Sequence, residues 1–244
     1  MDRVEILVSH QERATVRVGN TYVKIDSAAW RLTREVEAMA LVTVPRPDVL
    51  WHHDHVLGLS ELRGYQLGRL GEPSTAPGNV WAQAGAVARE IHSLPTPPWA
   101  GWDADAFAGF LDGELRWLVD NSVISREIAA SSRARAEPAL RPFPAVFTHG
   151  DFQPAHILYE NDTITGVIDW ADVCSGDALF DLAVLTVGHE ERVTDVLAGY
   201  GDEVDLDVIA AWWAVRRIGS VRWMIQHGFS ADADIAALLR PSHA

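Results

Sequence analysis

One stretch of the chain, residues 147–183, holds most of the side chains that could do chemistry. An HGD triplet at residues 149–151 follows an apolar run, His156 begins a second apolar run, and Asp169 ends a third. The Asn-Asp pair at 161–162 separates the last two runs and is typical of a tight hairpin turn. Pairing these runs as strands brings His156 and Asp169 to the same end of the hairpin, next to the triplet.

These residue types fit one kind of chemistry. Phosphoryl transfer needs a carboxylate at the acceptor hydroxyl, a carboxylate and a second ligand on Mg²⁺, and a cation on the donor phosphates. Asp151, Asp169, His156 and Lys24 can fill these roles in that order. Taken alone, Asp151 or Asp169 is more simply a turn-forming residue, and a lysine in mid-strand is usually solvated. It is the joint pattern that favours a site.

The N-terminal part of the chain is rich in β-forming residues. Runs at 4–8, 14–18 and 21–25 predict three strands, and Gly19-Asn20 between the last two predicts a hairpin. Lys24 lies in the third of these strands.

A helix is predicted over residues 28–42, where apolar residues recur at helical spacing. Glu35 borders the buried stripe of this helix. From that position its carboxylate could reach back to Lys24.

Two further strands are predicted at about 49–51 and 55–59, around an HHDH cluster at 52–55. The cluster could suggest a metal site. Neighbouring residues of an extended chain point to opposite faces, however, so a polar hairpin tip explains the cluster equally well. Residues 60–64 follow directly and end in a glycine that can turn the chain.

Past a loop rich in Gly, Pro and Ser (residues 71–78), the pattern becomes helical. Asn79 is the predicted N-cap of a helix that ends near residue 95. Further helices are predicted at about 107–118, 122–141, 181–187, 191–200, 206–227 and 231–239. The fold class is therefore α+β, with an N-terminal lobe and hinge at residues 1–64 and a mainly helical C-terminal lobe at 65–244. A cleft between the lobes is the expected ligand site.

Tryptophans fall into two groups. Those in helical patterns are predicted to be core residues: Trp117, Trp212, Trp213 and Trp223. Trp99 and Trp102 lie in a Pro/Gly loop, where they could line a pocket.

Composition narrows the class of partner. The 244 residues include 34 Asp and Glu against 20 Lys and Arg, which gives a net charge of −14. Such a field repels nucleic acid and anionic membrane, and it could draw a cationic ligand, although a negative surface also simply aids solubility. The single Cys174 fits a reducing compartment, and no signal-type or membrane-spanning segment is visible. We therefore expect a cytoplasmic protein with no nucleic-acid or membrane partner.

The central motif resembles the signature of the aminoglycoside phosphotransferase and choline kinase-like family. The resemblance is carried by three segments: His149-Gly150-Asp151 with His156, Ile168-Asp169-Trp170, and Gly176-Asp177 with Asp181-Leu182-Ala183. It implies the bilobal protein-kinase fold, a small antiparallel β lobe followed by a larger helical lobe. It also implies ATP or GTP as phosphate donor, Mg²⁺ as cofactor and a small hydroxyl compound as acceptor.

The resemblance assigns roles to the reacting groups. Asp151 would be the catalytic base that orients the acceptor hydroxyl and takes its proton. Asp169 and His156 would hold the magnesium ion. Lys24 would hold the donor phosphates and pair with Glu35.

It also assigns supporting roles. Backbone groups near Ser60 and Leu62 would meet the nucleotide base. His149 and Asp181 would brace the catalytic loop without reacting.

Two positions depart from the family pattern. His156 stands where the family usually has Asn, although macrolide phosphotransferases and some 2″-aminoglycoside phosphotransferases carry a similar His. An imidazole can ligate a metal through one nitrogen, but Mg²⁺ prefers oxygen. The link between the first two strands, residues 9–13, contains no glycine, so a Gly-rich phosphate loop is absent.

The sequence therefore predicts a nucleotide-dependent phosphotransferase, monomeric or dimeric, that acts on a hydroxyl of a small molecule. An antibiotic such as an aminoglycoside or macrolide is the first expectation for the acceptor, with choline-like compounds and sugars as alternatives. A catalytically silent kinase-fold binding protein is the alternative function, favoured by His156 and the glycine-free link. A protein kinase is disfavoured, because HRD and DFG triplets are absent and only seven residues separate Asp169 from Asp177.

Acidic residues near the C-terminus bear on the charge of the acceptor. They are Asp202, Glu203, Asp205, Asp207, Asp232 and Asp234. They could meet amino groups of a cationic acceptor, or they could be solvated helix ends.

Overall fold

The computed structural model of the chain describes residues 4–10, 12–69 and 72–240. The expectations that involve residues 1–3, Gln11, 70–71 and 241–244 lie partly outside this range. They concern the chain ends, the link between the first two strands and the start of the Gly/Pro/Ser-rich loop.

The N-terminal part is an antiparallel sheet of five strands with one helix, as the β-rich runs predicted. The strands are β1 (Val4–His10), β2 (Arg13–Val18), β3 (Thr21–Asp26), β4 (Val49–His53) and β5 (Val56–Ser60). Their order across the sheet is β1-β2-β3-β5-β4. Helix α1 (Ala29–Leu41) connects β3 to β4.

Strand β3 lies at the centre of this sheet. Gly19 adopts a left-handed conformation (φ 59°), which lets the predicted hairpin close with Val18 opposite Thr21. Lys24 is paired with Thr15 of β2 on one side and with Leu57 of β5 on the other. The lysine therefore sits on a strand that is fixed from both edges.

The C-terminal part is mainly helical, as predicted. Its helices are α2 (Gly78–His92), α3 (Ala104–Asp120), α4 (Arg126–Ala136), α5 (Ala178–Thr186), α6 (Val193–Tyr200), α7 (Leu206–Gln226) and α8 (Asp232–Leu238). This antiparallel β region followed by a helical region confirms the α+β class. The division into lobes at residues 64 and 65 stays a prediction.

Several predicted helix boundaries were wrong. Asn79 is not the N-cap of α2, because Pro77 occupies that position and its carbonyl accepts the first helical N–H. The predicted helix at 122–141 is shorter, and a 3₁₀ turn at Glu137–Ala139 follows α4 where Pro138 lacks an N–H. Helix α5 begins three residues earlier than expected, since the Asp177 side chain caps it by accepting from Leu179 N.

Five short strands lie between the helices and form two small sheets. They are β6 (Tyr65–Gln66), β7 (Ala145–Thr148), β8 (Ile157–Glu160), β9 (Thr163–Val167) and β10 (Cys174–Asp177). The predicted hairpin is β8–β9, and both Asn161 and Asp162 have positive φ (50° and 58°), as in a type I′ turn. Strands β6 and β10, which pair with β8 and β7, were not predicted.

The tryptophan predictions were partly right. Trp212 is fully buried, and Trp117 and Trp213 are partly buried against the core. Trp223 was wrongly predicted to be core, because it is 46% exposed and stacks with His227 at the end of α7. Trp99 lines a surface pocket together with Trp30 and Arg34, whereas Trp102 packs edge-on against Phe110.

Within the described residues, every helix is too short or too polar to cross a membrane. The expected cytoplasmic location stays a prediction.

The turn after β5 depends on glycine at position 64. Gly64 has φ +120°, and a Cβ there would lie 2.5 Å from the carbonyl oxygen of Tyr159. We expect Gly64→Ala to lower the free energy of unfolding by about 2 kcal/mol, as for other residues forced into sparsely populated backbone regions. Gly109→Ala is the matched control, since Gly109 lies in α3 with open space around it. Gly109→Ala should raise the free energy of unfolding by about 0.8 kcal/mol, because alanine favours the helix more than glycine does. Urea unfolding of both variants measures their free energies of unfolding. An equal effect of the two substitutions would contradict the requirement for glycine at position 64.

Candidate active site

A salt-bridge cluster joins three distant parts of the chain at Lys24. The Lys24 Nζ atom lies 2.6 Å from Glu35 Oε1 and 2.7 Å from Asp169 Oδ1. Glu35 comes from α1 and is almost fully buried. Asp169 lies just past the end of β9, immediately before a 3₁₀ turn. The Lys24–Glu35 contact predicted from the helix pattern is therefore present, and it includes the strand-end aspartate.

The charges in this cluster shift one another. Burial alone would lower the pKa of Lys24, but the carboxylates of Asp169 and Glu35 outweigh it and raise that pKa. Burial likewise favours the neutral form of Asp169, yet the Lys24 ammonium dominates and holds the pKa of Asp169 well below its usual range. At the deeper Glu35, burial prevails over the same ammonium and the pKa is raised. One ammonium thus faces two carboxylates, which leaves the cluster short of positive charge.

Asp169 also has an unusual backbone. Its φ and ψ are 66° and 64°, the left-handed region that non-glycine residues seldom adopt. Such conformations cost about 1–3 kcal/mol and persist where surrounding contacts hold them. Here the contact with Lys24 fixes the side chain, and a 3₁₀ turn at Trp170–Asp172 follows.

The loop around the HGD triplet is held by buried hydrogen bonds. The carboxylate of Asp181 accepts from the backbone N–H of His149 at 2.7 Å and of Gly150 at 3.0 Å. The His149 ring bonds to the Ile168 carbonyl through Nε2 (3.1 Å), and its Nδ1 accepts from the Asp151 N–H (3.3 Å). These contacts tie the loop to α5 and to the residue before Asp169.

Gly150 is required in this loop for two reasons. Its φ is +81°, and a Cβ would lie 2.2 Å from the carbonyl oxygen of Asp172. A larger residue would force the loop away from the segment that carries Asp169.

Sequence reasoning missed His92, which contacts Asp181 from another helix. His92 of α2 contacts Asp181 Oδ2 through Nε2 at 3.1 Å, and its Nδ1 lies 3.0 Å from the hydroxyl of Tyr200. His92 follows Ala84 and Ala88 at intervals of four on the buried face of α2, which was the available signal. A histidine on such a face needs a polar partner.

The Asp151 carboxylate accepts hydrogen bonds from two side chains. Arg216 Nη2 donates to Oδ1 at 2.8 Å, and Gln153 Nε2 donates to Oδ2 at 2.9 Å. Arg216 lies on α7, 65 residues beyond Asp151. No local spacing indicates a contact over this distance, so sequence reasoning missed it. Each carboxylate oxygen has two lone pairs, so Asp151 can still accept another hydrogen bond.

His156 stands between the two aspartates. Its Nδ1 lies 2.9 Å from the Asp151 carbonyl oxygen, which requires that nitrogen to carry the proton. In a neutral ring, Nε2 then keeps its lone pair, which accepts a hydrogen bond from Gln153 Nε2 at 3.3 Å and lies 3.5 Å from Asp169 Oδ2. The expected grouping of Asp151, His156 and Asp169 at one end of the hairpin is therefore present.

The donor atoms here suit a magnesium ion. Asp169 Oδ2 and His156 Nε2 face each other at 3.5 Å. Burial and the carboxylates of Asp151 and Asp169 raise the pKa of the nearby Asp172, which disfavours its charged form. Mg²⁺ usually takes one or two protein ligands and completes its shell with phosphate oxygens and water. No group of three His, Cys, Asp or Glu side chains that could enclose a metal occurs in the described ranges. That also counts against a metal site in the HHDH cluster at 52–55, where His55 instead contacts the Asp26 carbonyl (2.8 Å).

The two hinge residues have different backbone environments. The Ser60 N–H donates to the Asp48 carbonyl at 2.9 Å, so it is already used. Neither backbone group of Leu62 has a hydrogen-bond partner among residues 4–10, 12–69 and 72–240. The side chain of Leu62 packs against Gly166 of β9. Of these two residues, Leu62 is therefore the one whose backbone N–H and C=O groups could bind a ligand.

Comparison with known proteins gives three kinds of likeness. Residues 38–216 match the Phosphotransferase enzyme family. Homoserine kinase of Pseudomonas aeruginosa is 26% identical over an alignment of 144 residues. This match covers 50% of this chain and 46% of that protein. The chain thus spans about half the length of the curated relatives it matches.

Two solved structures share the fold. One is the GDP and kanamycin complex of APH(2")-IIia, with 19% identity, a TM-score of 0.72 and coverage of 96% of this chain and 89% of that chain. The other is macrolide 2'-phosphotransferase from Brachybacterium faecium, with 19% identity, a TM-score of 0.67 and coverage of 99% and 93%. Both likenesses confirm the predicted kinase-like fold.

Burial makes His149 sensitive to acid. It lowers the pKa of His149, so the folded protein keeps the ring neutral while the unfolded chain takes up a proton near its ordinary pKa of about 6.5. Stability should therefore be complete above that pH and fall below it, by at most about 1.4 kcal/mol per pH unit. We expect His149→Gln to flatten this decline between neutral pH and pH ~5.5. The control is His53→Gln, whose ring is 88% exposed. Urea unfolding at several pH values tests this, and an unchanged slope in His149→Gln would refute it.

Proposed function

Because the chain belongs to the phosphotransferase enzyme family, we propose that it transfers the γ-phosphoryl group of a nucleoside triphosphate to a hydroxyl of a small molecule. One observation carries this proposal. Lys24, Asp169, His156 and Asp151 form a continuous chain of polar contacts, each within 3.6 Å of the next. The cation, the metal-ligating pair and the base that phosphoryl transfer needs are thus adjacent.

The donor side of the site is formed by Lys24 and the hinge. The Lys24 ammonium is held charged by two carboxylates, and it would contact the α- and β-phosphates of ATP or GTP. The free backbone groups of Leu62, next to Ser60, would meet the base. Asp169 and His156 would hold Mg²⁺, which supplies charge neutralisation on the phosphates when bound.

The acceptor side is formed by Asp151. Its carboxylate would accept a hydrogen bond from the acceptor hydroxyl and orient that oxygen toward the γ-phosphorus. As the new O–P bond forms, the bond from the γ-phosphorus to the β,γ-bridging oxygen breaks. The nucleoside diphosphate leaves, and the hydroxyl proton passes to Asp151. The hydrogen bonds of His149 and Asp181 would keep the loop in place during this step.

The rival function is a silent kinase-fold binding protein. It is supported by His156 in place of Asn and by the link at residues 9–13 without glycine. The tautomer of His156 argues against it, because the Asp151 carbonyl fixes the proton on Nδ1 and leaves the lone pair on Nε2. That lone pair accepts from Gln153 Nε2 at 3.3 Å, and a metal ion would take the place of this donor. We therefore favour a working enzyme.

The identity of the acceptor is a separate question. Similar proteins are named for kanamycin, for macrolides and for homoserine, so the family spans antibiotics and an amino acid. The antibiotic expected from the sequence is one candidate, and a hydroxylated amino acid is the second. ATP versus GTP as donor, a cytoplasmic location, and a monomer or dimer belong to the proposal as well.

The catalytic role of Asp151 gives the direct test. We expect Asp151→Asn to lower release of ADP or GDP about 100- to 10,000-fold, the usual effect of losing a general base. Binding of the Mg²⁺–nucleotide complex and the melting temperature should stay nearly unchanged. The matched control is Asp162→Asn, since that exposed residue lies in the β8–β9 turn and its side chain makes no hydrogen bond to any residue that the structure describes.

A coupled assay of nucleoside-diphosphate release measures both variants with aminoglycosides, macrolides, homoserine, choline and sugars. Wild-type protein that binds nucleotide with Mg²⁺ but never releases the diphosphate would favour the silent binding protein. Asp169→Asn should separately weaken Mg²⁺-dependent nucleotide binding by at least about tenfold. Unchanged binding in that variant would show that the metal assignment is wrong.

A further inference from the structure

We infer that Arg216 makes this protein select acceptors with a carboxylate close to the hydroxyl that is phosphorylated. The inference rests on the proposed function, because it takes Asp151 as the group that meets the acceptor hydroxyl. It concerns a residue on α7 for which the sequence motif gave no role.

Arg216 lies where the acceptor must bind. Its Nη2 atom is 2.8 Å from Asp151 Oδ1, and its side chain is 32% exposed. A guanidinium has five N–H donors, and the described residues supply no acceptor for it other than Asp151. The remaining donors are therefore available to a ligand at the catalytic carboxylate.

Its neighbours on α7 differ in this respect. Arg217 pairs with Glu190 and, at 3.6 Å, with Asp234. Arg222 pairs with Glu114 at 3.2 Å. The partners of those arginines have no part in the reaction, whereas the partner of Arg216 is the proposed base. Only the Arg216 pair changes its charge during turnover.

That change favours an anionic acceptor. Before the reaction, Arg216 and Asp151 compensate each other. Once Asp151 takes the hydroxyl proton, its charge is neutralised and Arg216 loses its counter-ion. A carboxylate on the acceptor would keep Arg216 paired throughout, and the planar fork of the guanidinium suits a bidentate contact with it.

The same position disfavours a cationic group. The acceptor hydroxyl must come within about 3 Å of Asp151, so groups on neighbouring carbon atoms lie close to Arg216. An ammonium there would be repelled, because like charges at short range oppose each other most strongly where water is partly excluded.

Three of the C-terminal acids already have partners. Asp205 caps α7 by accepting from Asp207 N and Val208 N, and Asp202 pairs with Arg89 at 3.2 Å. Asp234 accepts from Ser220 Oγ at 3.0 Å in addition to its contact with Arg217. These three carboxylates are therefore not free to offset the charge of Arg216 at the acceptor.

Matched pairs of acceptors test the inference. One pair is L-homoserine and 3-aminopropan-1-ol, which differ only in the carboxylate. A second pair is glycolate and glycolamide, in which the group on the carbon that bears the hydroxyl differs in charge but hardly in size. Binding of each compound is measured by calorimetric titration in the presence of Mg²⁺ and a non-hydrolysable nucleotide, and diphosphate release is measured with ATP and GTP.

We expect the carboxylate member of at least one pair to bind about tenfold or more tightly than its partner, as expected for a charge-assisted contact. Arg216→Gln should reduce this preference to less than about twofold, mainly through KM, and Arg216→Lys should restore part of it. The control Arg222→Gln, on the same helix, should keep the wild-type preference.

The outcomes separate this inference from the proposed function. A carboxylate preference that Arg216→Gln removes, without any diphosphate release, would support the role of Arg216 and contradict phosphotransfer. Turnover of kanamycin or choline without a carboxylate preference would support phosphotransfer and overturn the role of Arg216. A preference that survives in Arg216→Gln, or no carboxylate-dependent binding in either pair, would also overturn it.

Discussion

The site depends on the ammonium of Lys24, which is held between the carboxylates of Glu35 and Asp169. This contact joins the centre of the N-terminal sheet, the buried face of α1 and the segment after β9. It also helps to hold Asp169 in a left-handed conformation that it would otherwise seldom adopt. Because two carboxylates share one ammonium, the cluster suits an added cation. The loop after β7 then adds His156 and Asp151 beside the same carboxylate.

Much of this arrangement could be predicted from the sequence, because its signals are local. The Asn161-Asp162 turn sets the β8–β9 register, and that register places His156 beside Asp169. The contact of Glu35 with Lys24 follows from the spacing of apolar residues in one helix. In each case a short segment determines which side chains can meet.

What could not be predicted comes from elements far apart in the chain. Arg216 reaches Asp151 from a helix 65 residues later, and His92 reaches Asp181 across 89 residues. No spacing within either segment indicates such a contact. The net charge is likewise a sum over the surface, and it does not show that Asp202, Asp205 and Asp234 already have partners.

The central claim is that a phosphoryl group passes from a nucleotide to a hydroxyl at Asp151. Phosphorus NMR of the wild-type protein with Mg²⁺, ATP or GTP and the panel of hydroxyl compounds observes this transfer itself. We expect a new phosphomonoester resonance that grows in step with the nucleoside diphosphate and is absent with Asp151→Asn. Formation of diphosphate and inorganic phosphate alone, or an unchanged nucleotide spectrum with every compound, would contradict it.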